Sequence, residues 1–339
     1  MKLYRYIARR LLLVIPVLIG VSIIVFTLTR VTGDPAAAYI NDKMSPHQIE
    51  LIKQKYHFDE PVVNQYWYWL QGIIQGDWGW SKTATMPVTD AIIDFFPNTA
   101  ELAIVAIIIS IIIGIYVGTV SAVRRNKPFD HVSRVISLIG VSIPVFFFAM
   151  ILQFVFYSNL GLFDSGGMVS NYYKIRGGLP DITGFLFVDS LLVGNMNLFV
   201  DVVWHLILPS ITLAFAGIAI ILRMQRNSML EVMSLDYIKT ARAKGLPEKV
   251  VIRKHARKNA LIPTTTVIGL SFGGLLSGAV ITESIFQWPG LGRWATASIA
   301  VLDSTSVLGF CLLVAIIFVI VNLVVDIMYA YLDPRVRLE

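Results

Sequence analysis

Residues 100–123 read AELAIVAIIISIIIGIYVGTVSAV, an apolar run whose only charged side chain is Glu101. About 18 or more such residues are enough to cross the hydrocarbon core of a bilayer as one helix. Five other stretches have the same character: Leu11–Leu28, Val135–Tyr157, Val202–Leu222, Thr264–Phe286 and Val307–Leu332. Composition agrees. Of 339 residues 56% are hydrophobic and 15% charged, against about 25% charged in an ordinary soluble domain. The reading is an all-α integral membrane protein with six transmembrane helices.

The residues between the blocks orient them. Met1–Arg10 carries four Lys or Arg, 124–134 four, 223–258 ten and the C-terminal tail two, together twenty of the 28. Acidic residues collect instead in 31–97 and 159–201. Basic residues accumulate on the cytoplasmic side of membrane proteins, so both termini are expected there. The pI of about 9.3 is thus a topology signal and does not imply a nucleic-acid partner; anionic lipid is the natural partner of the basic loops. The start of the chain also resembles a secretory signal, with Ala36-Ala37-Ala38 as its cleavage site. At about 18 residues the apolar stretch exceeds a usual signal core, and an uncleaved first helix is expected.

The two outer segments, 31–97 and 159–201, are too long to be turns. Ser45–Lys55 reads as a short helix, with Ser45 as cap and Pro46 in its first turn. The aromatics Tyr56, Phe58, Tyr66, Trp67, Tyr68, Trp69, Trp78 and Trp80 suit an interfacial belt or a docking surface for an external protein. Pro209, Gly217, Gly269, Gly273, Gly274, Ser277 and Gly278 lie in the fourth and fifth blocks, where small residues permit close helix approach. A role in a translocation pathway is the alternative.

Several chemistries find no support. There is no phosphate-binding Gly-x-x-x-x-Gly-Lys-Ser/Thr loop, no His-Glu-x-x-His helix and no Gly-x-Ser-x-Gly elbow. The lone Cys311 offers neither a disulfide nor a metal cluster. Intramembrane charge is limited to Glu101, Glu283 and Asp326, read as paired near helix ends. An ion-coupled carrier would need titratable groups at mid-membrane. No catalytic, cofactor-binding or metal-binding residue is identified, and the chain carries no visible energy source.

The loop from Arg223 to Pro263, RMQRNSMLEVMSLDYIKTARAKGLPEKVVIRKHARKNALIP, is patterned as two helices broken at Gly245. Asp236 can cap a helix starting at Tyr237, and Gly245 followed by Pro247 ends it. A short capped helix between two spans suits a mechanical linkage to another protein, or a basic anchor on lipid.

The run Tyr237–Gly245 resembles the EAA loop of ABC importer permeases, in particular the B-type subunit of the dipeptide/oligopeptide/nickel group. Further motifs match that group in order: Gly33-Asp34-Pro35, Gly76–Ser81, Ser142–Phe146, His205–Pro209, Glu283–Gly292 and Asp333–Arg337. Two departures stand out. Lys239-Thr240-Ala241 replaces Glu-Ala-Ala, and Arg257-Lys258 replaces a later Leu-Pro.

The resemblance implies a type I ABC importer permease fold, with 1–30 as tail and first helix, 31–97 as an external segment and 98–339 as the five-helix core. The core includes the external segment 159–201 and the coupling loop 223–262. The implied partners are a C-type permease, two ATP-binding subunits that hold ATP and magnesium, and an extracytoplasmic substrate-binding protein. The implied coupling residues are Tyr237, Ala241, Arg242, Ala243, Lys244 and Gly245, the small ones permitting close docking. Glu283, Gln153 and Asn322 are pathway candidates by polarity alone. Peptide is the expected cargo by group frequency; glutathione, nickel and oligosaccharide are the alternatives within the group. A stand-alone carrier or channel is the rival from another class.

Overall fold

The computed structural model describes residues 3–32, 36, 39–40, 44–276 and 279–332. The Gly33-Asp34-Pro35 and Asp333–Arg337 motifs, Ala37-Ala38, Ser277, Gly278 and the side chain of Asp326 lie outside the described residues.

Among the described residues five helical spans are long and apolar enough to cross a membrane, Leu11–Leu28, Val88–Val123, Met196–Ser234, Glu248–Leu276 and Ser304–Val325, and the bent pair Pro128–Ser142 and Val145–Asn159 makes a sixth when taken as one span. The first lies within α1 (Leu3–Thr32). Between it and the second come α2 (Pro46–Lys55), α3 (Val62–Gln75) and a minimal antiparallel hairpin of β1 (Trp80–Ser81) and β2 (Met86–Pro87). The start of α2 is as expected. The Ser45 hydroxyl accepts from the Gln48 amide (3.3 Å), and Gln48 Oε1 accepts from the Ser45 amide (2.8 Å), a reciprocal capping box.

The second span, α4 (Val88–Val123), begins twelve residues before the apolar block. The third block is not one rod. It is split into α5 (Pro128–Ser142) and α6 (Val145–Leu152), the latter continuing as a π-helical turn over Gln153–Asn159. The two arms meet at 104°. Pro144 causes the break: it has no N–H to continue the ladder and pushes Ile143 into extended backbone (φ −77, ψ 124). Short helices α7 (Asn171–Arg176) and α8 (Leu186–Leu192) follow, then the long α9 (Met196–Ser234).

After α9 come α10 (Asp236–Ala243), α11 (Glu248–Val250), a π turn at Val251–Ala256 and α12 (Arg257–Leu276). The fifth block is therefore a second correction. Its helix ends at Leu276, and Val280–Ile285 forms a separate short α13 leading to α14 (Leu291–Ala300). A continuous helix would have left Glu283 facing lipid or apolar side chains, whereas the break carries it to the amides that open α14. The last span belongs to α15 (Ser304–Leu332).

The α4–α9 pair is the centre of the molecule. The Ser110 hydroxyl donates to the Ala214 carbonyl (3.1 Å). A Cβ on Gly114 would lie 2.7 Å from Ile221, and one on Gly118 would lie 2.7 Å from the Leu222 carbonyl oxygen. Contacts advance together along both helices, so α4 and α9 run parallel, with the bent α5–α6 pair returning the chain between them. In contrast α12 and α15 run antiparallel, Gly269 against Val325 and Gly273 against Val321.

Polar clasps hold the two ends of the bundle. At one end buried Asp303 accepts from the Thr83 amide (2.9 Å), the Thr83 hydroxyl (3.0 Å) and the hydroxyls of Ser81 (3.3 Å) and Ser306 (2.6 Å), tying the hairpin to the start of α15. At the other, Asp130 takes a forked pair from Arg226 (2.6 and 2.9 Å) and the Ser121 hydroxyl (2.6 Å), joining α4, α5 and α9.

Candidate functional site

The loop helix α10 begins after Leu235, whose backbone is extended (φ −71, ψ 150) and whose side chain cannot cap. The expected cap, Asp236, is instead the first helical residue, where its carboxylate favours the helix N-terminus and pairs with Lys239 at 2.8 Å. The far end is closed by Gly245 at φ +74. Its amide donates to the Arg242 carbonyl at 2.9 Å, the left-handed termination that glycine supplies without strain.

The helix has a rooted face and a free one. Ile238 is fully buried and Ala241 is 7% exposed, both in a cluster with Ala122 of α4, Met229 of α9, Val251, Ala256 and Ala260. Ala241 therefore does not belong to a docking face. It is small because it packs against this chain's own helices. Tyr237, Arg242, Ala243, Lys244 and Gly245 face outward. Two of these are braced from below. The Tyr237 hydroxyl accepts from Asn259 Nδ2 (2.7 Å). Arg242 pairs with Glu248 across the Gly245 turn, through bonds of 2.7 and 3.1 Å, and the hydrogen bond to that carboxylate raises the pKa of the guanidinium further. Burying Ile238 contributes on the order of 2 kcal/mol to seating the helix.

The three polar pathway candidates do not line one passage. Glu283, fully buried, accepts from the Thr99 hydroxyl (2.9 Å) and from the amides of Gly292 (2.7 Å) and Arg293 (3.2 Å). It caps α14, and Thr99 completes the cap by accepting from the Leu291 amide at 2.8 Å. Gln153 donates to the carbonyls of Ser165 (2.6 Å) and Ile285 (3.1 Å), so it braces the other side of α13. Asn322 stands apart, in an apolar groove of about 200 Å³ between α1 and α15 lined by Leu13, Val14, Val17, Phe318, Val319 and Leu323. Polarity alone had grouped the three. The structure brings two of them together on α13, as braces of the backbone.

Sequence reasoning missed Thr99, Asp130, Arg226 and Asp303 as anchoring residues. Their partners lie up to 222 positions away, and no local spacing announces them. Among the described residues no group of three His, Cys, Asp or Glu side chains is placed to hold a metal ion.

Two family profiles cover almost the whole chain. Residues 3–103 match the N-terminal part, and residues 110–338 the main part, of the binding-protein-dependent transport system inner membrane component. The chain belongs to that family. Its members are membrane permease subunits and not enzymes, and this chain is a multi-pass membrane protein of that type. The dipeptide transport system permease protein of Alkalihalophilus pseudofirmus is 41% identical over 98% of this chain and 99% of its own length. The di/tripeptide permease protein of Pseudomonas aeruginosa is 40% identical, over 98% of each chain. The glutathione transport system permease protein of Escherichia coli is 36% identical, again over 98% of each.

Proposed function

We propose that this permease forms half of the translocation pathway of an ATP-driven importer of di- or oligopeptides. The observation that carries the reading is end-to-end similarity, near 40% identity, to permeases named for dipeptides and di/tripeptides. The more distant glutathione relative points to the same chemistry, since glutathione is itself a peptide. The other half of the pathway is a C-type permease. Of two ATP-binding subunits, which hold ATP and magnesium, one docks on α10 and the other on the loop helix of the C-type permease, and an extracytoplasmic binding protein delivers cargo to the opposite face. Both termini and α10 lie in the cytoplasm. Twenty of 28 basic residues in the corresponding segments support this orientation.

Alternating access needs a lever that converts closure of the ATPase pair into a shift between two packings of the spans. A helix seated by Ile238 and Ala241 among the ends of α4, α9 and α12, with Tyr237, Arg242 and Lys244 outward, has that form. The test is reconstitution of the chain with its partners in liposomes and measurement of labelled dipeptide uptake. Uptake that requires ATP and the binding protein is expected. A Gly245→Trp variant, forced out of its left-handed turn, should insert normally and hydrolyse ATP without uptake. Dipeptide uptake by the chain alone without ATP would overturn the reading in favour of a carrier or channel.

A further inference from the structure

The segment between α1 and α4 folds its aromatics onto one another. Tyr39 stacks on Tyr56 (ring centroids 4.2 Å apart) and His57 on Tyr68 (3.8 Å), while Trp69 packs on Phe26 of α1. Tyr39, Tyr56, Tyr68 and Trp69 wall a cavity of about 250 Å³ that is closed by Arg30 of α1 and by Ser304, Thr305 and Leu308 of α15. Arg30 follows the first apolar span, which ends at Leu28, and Ser304 begins the last. The cavity therefore sits at one edge of the bilayer. Its charge is unbalanced: Arg30 and Lys55 line it against the single carboxylate of Asp77, one oxygen of which accepts from the Gly79 amide (2.9 Å). The Arg30 guanidinium lies over the Phe26 and Phe58 rings, and the exposed Lys55 ammonium is 5.3 Å from the Tyr56 ring. Gln71 and Gln75 add amides that donate and accept, and Thr305 a hydroxyl.

Toward the middle of the bilayer the same two helices, α1 and α15, frame the apolar groove of Val17, Val319 and Asn322. Leu308 on the cavity floor and Val319 in the groove share one face of α15, three turns or about 16 Å apart. That is about half of a hydrocarbon core of roughly 30 Å, the depth of one leaflet. On α1, a Cβ at Gly20, one turn from Val17, would meet nothing within 4 Å, so no side chain fills the seam there. We infer that the cavity and the groove are two ends of one site for an anionic phospholipid with a hydroxylated headgroup, such as phosphatidylglycerol. Its phosphate pairs with Lys55 in the field of Arg30. The glycerol hydroxyls bond Gln71, Gln75 and Thr305, and an acyl chain follows the seam into the groove.

A free peptide suits the site less well, because its ammonium would meet two cations and nothing in it needs the groove. Only 11% of the apolar window of α1 is buried, so a lipid in this seam supplies contacts that the helix otherwise lacks. The site occupies one membrane face whichever way the chain is inserted, and it needs neither the orientation nor the importer reading proposed above.

The test is hydrogen–deuterium exchange of residues 54–79 in the full chain in nanodiscs. One set holds phosphatidylcholine alone, the other phosphatidylcholine and phosphatidylglycerol in equal parts. Protection should be about tenfold higher in the mixed discs. Lys55→Glu, at an exposed position, should abolish that difference by reversing the charge that meets the phosphate. Val17→Trp should reduce it by filling the groove, although it leaves every charge in place. Dialanine added to phosphatidylcholine discs should give no protection. Equal protection in the two sets of discs, a difference that survives both variants, or protection by dialanine, which would make the cavity a peptide site, would overturn the proposal. Should either variant fail to insert, the two lipid compositions and dialanine decide.

Discussion

At the first turn of α14, three free amides find acceptors in Glu283 and Thr99. Helix N-termini leave such donors open, and a carboxylate there is favoured by the helix dipole as well. Glu283→Ala should therefore destabilise the protein by about 2–4 kcal/mol, seen as a lower midpoint in detergent-induced unfolding. The folded fraction should transport with unchanged affinity for its cargo; a selective loss of affinity would restore Glu283 to the pathway. From sequence, a solitary acid in an apolar block invites a pathway reading because its partner, Thr99, is 184 positions away. Asp189, in the first turn of α8, shows the same economy toward the loop that precedes it. Burial pushes its carboxyl up, but the Thr183 hydroxyl and the amides of Ile182, Thr183 and Gly184 outweigh that and leave it below the usual carboxylate range. A carboxylate whose folded pKa is depressed contributes stability above its unfolded pKa, and that contribution is lost as pH falls through the folded value. Exchange protection of 182–192 should thus be flat near neutrality and collapse only in strong acid, and Asp189→Asn should weaken it near neutrality while matching the wild type in strong acid.

The apolar blocks were legible because a bilayer demands uninterrupted apolar length, and the caps of α2 because they are local. The breaks were not. Apolar residues continue unbroken across the bend at Pro144 and into α13, so hydropathy alone joins what the backbone divides. Pro144 was visible, but a proline inside a span is often tolerated. The inward turn of Ala241 was also hidden, since in so short a helix only the surrounding ends of α4, α9 and α12 distinguish one face from the other. Close helix approach, by contrast, can be tested by a single methyl group. Gly118→Ala would bring Cβ to 2.7 Å from the Leu222 carbonyl oxygen, and a rigid backbone cannot retreat cheaply. We expect a loss of about 1–3 kcal/mol. Gly20→Ala, with nothing within 4 Å, should be neutral or slightly stabilising in the same unfolding measurement. Equal effects at both sites would show that helix propensity, and not the α4–α9 contact, governs.

The whole molecule is a set of spans pinned at each end by polar clasps, with α10 at the end that also holds Asp130 and Arg226. Its orientation has a direct check. In a Cys311→Ser background, a membrane-impermeant maleimide applied to intact cells should label Asp181→Cys and spare Lys249→Cys; the opposite pattern would invert the topology. The clasp at Asp303 also has a consequence in time. Its hydroxyl and carboxylate partners, Ser81 and Asp303, stand 222 positions apart, and a chain emerges from the ribosome N-terminus first at roughly 5–20 residues per second. Ser81 and Thr83 must therefore wait on the order of ten seconds or more for the acid that receives them. A chain abandoned before Asp303 leaves Ser81 and Thr83 without that carboxylate, so this closure is reached only after most of the chain has emerged.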